Sequence, residues 1–451
     1  MPTHLVKKLD PPREVQRIAR TLEKAGFETW CVGGAVRDAL LGHQHLDWDL
    51  ATAARPNDVR SLFARTVPVG IDFGTVGVLD SHDVLHEVTT FRRDVNTDGR
   101  HAVVEFGATL DEDLARRDYT INAIAFSPTQ NRLHDPFEGR VDLEKGIVRA
   151  VGEPTERMRE DRLRALRAIR FAARFDFRID PKTWDAIVAS APHLTRLSAE
   201  RVKQEIEKTM EQVQFPSAAF RMWRDSGALG VLVPALGEIT DLHLAGLDYL
   251  RIPAAAAKPE RKSARKIARV TALFAAADPR GVTTTLRRLR FSNSDVKWIA
   301  SIVSSWHELS GEMKLVLTQD TPPENAVLRR WAATAGRTRL ASVLRLADAI
   351  WRAEREAGIS APTTERVSSV YRRALRIAYN DPIEVGDLAI GGTDLERIGI
   401  TGPAIGRTLR NLLQEVINDP AVNSRERLIA LAANEAAGSA HPPSESRGHE
   451  R

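Results

Sequence analysis

Apolar residues recur along this chain with two different periods, and the change falls near residue 154. Between about residues 27 and 150 short β-prone runs alternate with turn residues: TWCV, VGVLD, VLHEVTTF, AVVEF, AIAFSP and GIVRAVG. Such runs predict the strands of a mixed α/β head. From about 154 onward ERMREDRLRALRAIRFAARF, SAERVKQEIEKTM and FRMWRDSGAL carry apolar residues at helical spacing, and no convincing strand follows. The remainder to about 435 reads as helix after helix, broken by ADPRG, FSNSD, TPPEN and YNDP. Ser292 followed by Asp295 has the form of a capping box opening DVKWIASIV. Residues 253–267 are rich in Ala, Pro and Lys and predict an exposed connection, and 437–451 have the composition of a disordered tail. No internal repeat of fixed period is visible.

At 451 residues the chain has room for two to four domains and a sizeable core. Charged residues make up 28% of it with both signs mixed, as in a globular protein. The net charge of +5 and a pI near 9.4 point modestly to a polyanionic partner, because the basic excess is led by arginine. One cysteine, Cys31, makes no internal disulfide, and MPTHLVKKLD has no apolar core of signal-peptide length. No apolar run approaches the ~20 residues of a membrane span. The expectation is a cytoplasmic protein without a membrane partner.

Candidate chemistry begins between Gly33 and Asp49, in GGAVRDALLGHQHLDWD. The glycines fall where the run TWCV ends and a helix begins, so a triphosphate can approach backbone N–H groups with no Cβ in the way. Asp47 and Asp49 stand two apart, and on an extended strand residues i and i+2 share a face. Paired hard oxygen donors suit Mg²⁺. A second group, RRDYTINAIAF, places Arg116 and Arg117 in the same head, where guanidinium forks match phosphate oxygens; Asp118 and Asn122 are the expected braces. Asp135 and Asp142 of the next block are expected to be structural. In EDRLRALRAIR, residues 160–170, Asp161, Arg164, Arg167 and Arg170 recur every third residue, a polar stripe opposite Leu163, Leu166 and Ile169 on one helix. Asp161 beside Arg164 offers an acceptor and donors within one turn, which fits the amino group and ring nitrogen of cytosine or adenine and rejects the reversed pattern of uracil and guanine.

Taken together, GGAVRD with DWD, EVTTFRRD, DGRH, EDLARRDYTINAIAF, DPFEGRVDL and EDRLRALRAIRF resemble the class II tRNA nucleotidyltransferase/poly(A) polymerase family over roughly residues 27–215. Weaker similarity continues in LRRLRFSNSDV and in IGGTDLERIGITGPAIGRTLRNLLQEVINDP, which looks like the C-terminal segment of the tRNA CCA-adding members. The resemblance implies an α+β fold: a polymerase-type nucleotidyltransferase mixed-sheet head (1–153), then an all-helical neck (154–215), body (216–355) and tail (356–436), with 437–451 disordered. Carried over by position, Gly33, Gly34 and Arg37 would contact the incoming nucleotide, and Asp47 and Asp49 would hold Mg²⁺. Glu87 would be a third carboxylate, with Asp80 and Asp83 close by as alternatives. Arg116 and Arg117 would engage triphosphate or sugar. Asp161 and Arg164 would select the base, supported by Arg167 and Arg170. Residues 92–106 would form the flexible loop used in switching to adenine.

The implied activity is template-independent addition of CCA to tRNA from CTP and ATP, by a monomer or weak dimer. A CC-only or A-only enzyme and a poly(A) polymerase are the alternatives. The stretch ARTVPVGIDFGTVGV lacks the GRRF-like feature of the poly(A) polymerases, which favours CCA addition. A catalytically silent RNA-binding module would be expected to have lost Asp47 or Asp49. The only HD dipeptide, His82-Asp83, lies in an expected turn, so no fused phosphohydrolase is expected.

Overall fold

The computed structural model describes residues 4–6, 8–43, 47–97, 102–250 and 259–439. In chain order the strands are β1 (Thr29–Val32), β2 (Leu50–Thr52), β3 (Thr66–Gly70), β4 (Thr75–Leu79), β5 (Leu85–Thr90), β6 (Arg92–Thr97), β7 (Ala102–Phe106), β8 (Ala125–Ser127), β9 (Arg132–His134), β10 (Ile147–Val148) and β11 (Arg178–Ile179). Seven of them make one sheet in the order β3-β4-β5-β2-β1-β8-β9, antiparallel throughout except for the parallel pair β2–β5. β6 and β7 form a separate hairpin, and β10 pairs in parallel with β11.

The helices of the head are α1 (Arg13–Lys24), α2 (Gly34–Leu40), α3 (Pro56–Leu62), α4 (Leu110–Ala115) and α5 (Gly139–Lys145). α1 buries Val15, Ile18, Ala19 and Leu22, the i, i+3, i+4, i+7 stripe of an amphipathic helix, and packs against β1 and β2. Alternation along β4 and β5 buries Val76, Val78, His86 and Val88 on one face and leaves Thr75, Leu79, Leu85, Glu87 and Thr89 more open on the other. Helices α6 (Pro154–Glu160), α7 (Leu163–Phe175), α8 (Pro181–Ser190), α9 (Ala199–Gln212), α10 (Pro216–Asp225) and α11 (Ala228–Leu232) complete a first compact unit, residues 1–238 with 288–290. The second unit, residues 239–287 and 291–451, is helical: α12 (Asp241–Ala245), α13 (Pro259–Phe274), α14 (Pro279–Arg288), α15 (Asn293–Thr318), α16 (Asn325–Ala335), α17 (Leu340–Glu356), α18 (Thr364–Asn380), α19 (Gly392–Arg397), α20 (Pro403–Asn418) and α21 (Arg425–Ser439). No described helix is long and apolar enough to cross a membrane.

The α+β class and the order of sheet before helices agree with the sequence reading. The boundary expected at 215/216 falls inside the first unit, since α10 packs on α7 and α9. Ser292 does cap α15, accepting from Asp295 N at 3.1 Å. Five of the described strands have no counterpart among the β-prone runs; of these, β2 directly follows the DWD segment that reads as extended. β3 contains Pro68 and is an edge strand, the place where a missing N–H costs no ladder bond. β6 is polar, β9 is a three-residue edge, and β11 is a two-residue strand inside the helical stretch. Residues 92–106 form a hairpin rather than a loop, with 98–101 outside the described residues. The connection expected over 253–267 becomes α13 from Pro259, its first part lying outside the described residues; of the expected disordered tail, 437–439 end α21 and the rest is also outside.

Candidate nucleotidyl-transfer site

β1 ends at Val32 and the chain turns through Gly33 into α2. Gly33 has φ 77°, a region that favours glycine, and a Cβ there would stand 3.0 Å from Arg117 Nη1. Arg37, one turn along α2, is buried. Its Nε donates to Asp38 Oδ1 at 2.7 Å and its Nη1 to Asn122 Oδ1 at 2.5 Å, and its guanidinium lies 5.0 and 4.8 Å from the Phe171 and Phe175 rings. Burial lowers the Arg37 pKa, and the charge of Asp38 works against that.

Asp47 and Asp49 lie in the segment running into β2, whose formal ladder begins at Leu50. Burial alternates there as it does on a strand: Asp47 is exposed, Trp48 buried, Asp49 half-buried. The Asp49 carbonyl accepts from Val32 N at 3.0 Å, which ties the segment to β1. In the β2–β5 register Leu50 faces Val88, so Asp49 comes beside Glu87. Burial first, then the charges of Asp47 and Glu87, push the Asp49 carboxyl up to about 6. Crowded like charges of this kind fit a divalent cation with oxygen ligands. Among the described residues no group of three or more His, Cys, Asp or Glu is placed to hold a metal ion by itself. Asp80 and Asp83 are turned away. Asp80 sits 3.0 Å from His86 Nε2 and accepts from the N–H groups of His82 and Val84, contacts that hold its carboxyl at about 2; Asp83 pairs with Arg65.

The two adjacent arginines are braced by a residue that sequence reading missed. Asp113, buried on α4, accepts from Arg116 Nη2 at 2.7 Å and from Arg117 Nη2 at 3.0 Å. Asp118 and Asn122, the expected braces, serve other arginines: Asp118 accepts from Arg167 Nε and Asn122 Nδ2, each at 2.8 Å, while Asn122 accepts from Arg37. Burial would raise the Asp118 carboxyl, but the Arg167 charge and these hydrogen bonds hold it at about 2, and Asp118 in turn raises Arg167. The Arg117 Nε is buried with no hydrogen-bond partner among the described residues.

The stripe on one helix needs correction at its first member. Asp161 breaks the chain between α6 and α7, with extended φ −146° and ψ 106°, and its Oδ1 accepts from Leu163 N at 3.0 Å, so it caps α7 instead of riding on it. Its Oδ2 accepts from Arg201 at 2.7 Å. Arg164 donates to Glu160 Oε2 at 2.6 Å and to the Arg116 carbonyl at 2.9 Å, and its own carbonyl accepts the Tyr119 hydroxyl. Arg170 does not reach the site: it is buried against Glu205 at 2.7 Å and Gln212 at 3.1 Å. Asp135 and Asp142 hold backbone, Thr120 and Arg149, as a structural role requires.

These motifs meet in one cavity of about 410 Å³, lined by Gly33, Gly34, Arg37, Asp49, Arg116, Arg117, Asp118, Asn122, Asp161, Arg164, Arg167 and Phe171. Asp47 and Glu87 flank Asp49 outside that lining. A larger cavity of about 600 Å³ in the second unit, around Trp298, Ile302 and Leu346, has no carboxylate pair and none of the candidate nucleotide- or metal-binding residues.

Residues 29–149 match the family model of the Poly A polymerase head domain, and 176–239 that of a probable RNA and SrmB-binding site of polymerase A. Over 428 residues the chain is 33% identical to the CCA-adding enzyme of Geobacillus stearothermophilus, covering 94% of this chain and 97% of that one. The chain belongs to the family of CCA-adding enzymes. In the solved structure of the Bacillus stearothermophilus CCA-adding enzyme in complex with CTP, 30% identical, the same fold covers 96% of this chain and 99% of that chain with a TM-score of 0.69. A Streptococcus suis CCA-adding enzyme is 42% identical over 237 residues, a match spanning 58% of that protein. CCA-adding enzymes are tRNA nucleotidyltransferases, and enzymes of this family work with divalent metal ions.

Proposed function

We propose that this protein adds or repairs the 3′-terminal CCA of tRNA, using CTP and ATP as substrates and Mg²⁺ as its metal, in the cytoplasm. The observation that carries the reading is the single cavity in which Gly33, Arg117, Asp161 and Arg164, from three separate sequence motifs, surround Asp49. Asp47 and Asp49, with Glu87 beside them, would hold the metal through hard oxygen donors; bound there, the ions supply charge stabilisation of the attacking and leaving oxygens. The RNA 3′-oxygen forms a bond to the α-phosphorus as the bond to the bridging oxygen of pyrophosphate breaks, and the hydroxyl proton passes from the nucleophile to solvent water.

The protein's own contribution is positioning and neutralisation. Arg117 is fixed at one Nη by Asp113 while its buried Nε is left to donate, which suits a phosphate oxygen. Phe171 and Asn122 keep Arg37 in the cavity wall. Asp161 and Arg164 select the base: for Asp161 to accept from an exocyclic amino group through Oδ2, it exchanges its bond to Arg201. Four parts follow for the chain, a head to residue 153, a neck to 215, a body to 355 and a tail to 436, with the helical parts holding RNA. Replacing Asp47 or Asp49 by Ala is expected to abolish nucleotide incorporation with the far-ultraviolet circular dichroism and melting temperature preserved. Incorporation retained by either variant would overturn the assignment.

A further inference from the structure

The sheet face beside Glu87 carries apolar side chains that the core does not use. In register, Val67 of β3 faces Gly77 of β4, and Gly77 faces Glu87 of β5, so the three lie in one row on one face. Gly77 is kept small by its neighbours: a Cβ there would stand 2.5 Å from Leu85 Cδ1 and 2.8 Å from Val69 Cγ2, which places both side chains on the same face. At the end of β3, Phe73 Cδ2 lies 3.9 Å from where a Cβ of Gly70 would be, and Gly70 pairs with Thr75 of that face. Val67, Val69, Phe73 and Leu85 are 38%, 43%, 53% and 38% exposed, while Val76, Val78 and Val88 on the opposite face are buried. An apolar shelf with an exposed aromatic ring is thus continuous with the carboxylates.

Its position in the sheet says what it meets. Asp49 leads into β2, which lies between β1 and β5. The cavity that takes the triphosphate reading lies on the β1 side, with Gly33 and Arg117. Attacking and leaving oxygens stand in line at the phosphorus, so the nucleophile comes from the other side, over β5, β4 and β3. We propose that the shelf formed by Val67, Val69, Phe73 and Leu85 seats the 3′-terminal nucleotides of the RNA being extended, with a base stacked on the Phe73 ring. Single-stranded RNA ends present unstacked bases that bind aromatic and apolar surfaces without a requirement for sequence. This inference rests on the nucleotidyl-transfer reading and adds the seat of its second substrate.

The test uses the full chain and an RNA ending just before CCA. Phe73→Ala and Val69→Asp are expected to raise KM for that RNA about tenfold, as loss of one stacked base does, with kcat little changed. Phe73→Trp is expected to restore the KM. CTP affinity measured without RNA, and the melting temperature, are expected to stay at the wild-type values. An unchanged RNA KM in both disruptive variants overturns the proposal, as does a loss of CTP affinity. So does an unchanged KM accompanied by a shift from dimer to monomer in sedimentation, which would give the shelf to a second copy of the chain. Failure of the unsubstituted protein to extend any RNA is a different result, and it contradicts the functional reading itself.

Discussion

At the scale of single residues, the cavity is a set of arginines each held by a carboxylate: Arg37 by Asp38, Arg116 and Arg117 by Asp113, Arg167 by Asp118, and Arg164 by Glu160. A guanidinium held this way loses little further freedom on meeting a phosphate or a base, and its remaining donors keep one direction. The glycine pair, the DWD aspartates and the arginines were legible in the sequence because their spacing has a chemical meaning. Asp38 and Asp113 were not. A carboxylate next to an arginine, or three residues before one, looks like a solvated helix pair until the fold buries it. Asp161 belongs to this scale too. Asp161→Ala is expected to lower the preference for CTP over UTP by at least about a hundredfold, because a site that pairs with an amino group rejects its absence strongly. Single-nucleotide incorporation with each triphosphate measures this, and an unchanged preference would remove Asp161 from base selection.

At the scale of elements, the break between α6 and α7 matters most. Periodicity ran through it, since Asp161 keeps the i, i+3 spacing to Arg164, yet its extended backbone ends one helix and its carboxylate accepts from Leu163 N at the start of the next. That corner frees the Asp161 side chain from the helix surface and turns it towards the cavity. Along the same α7, Arg167 faces the cavity, but Arg170 is already rotated into the contact with α9. Arg170→Ala would leave Glu205 buried without its partner, at an expected cost of about 3–5 kcal/mol. Thermal or urea unfolding would register it, with CTP preference retained by the protein that remains folded. Unchanged stability together with altered base preference would return Arg170 to the nucleotide site. Strands were missed where the residues pair at an edge or in a ribbon: Pro68 interrupts the edge strand β3, and the polar run RRDVNT of β6 carries no apolar alternation.

At the scale of the whole molecule, the change of hydrophobic period near residue 154 marked where sheet gives way to helix, and the similarity to the Geobacillus stearothermophilus enzyme extends along 94% of the chain. The division of the helices into units was less legible. Amphipathic helices in series carry the same period whichever neighbour they bury against, so the break after Glu238 left no mark in the pattern. The central claim is that the cavity performs an ordered addition that stops. Its most direct test is extension of three tRNA transcripts, ending before CCA, after CC and after the complete CCA, with each nucleoside triphosphate alone and all together. The expected result is C, C and A on the first, a single A on the second and no addition to the third. Addition of C alone or of A alone, or adenylation that continues past the completed end, would contradict it.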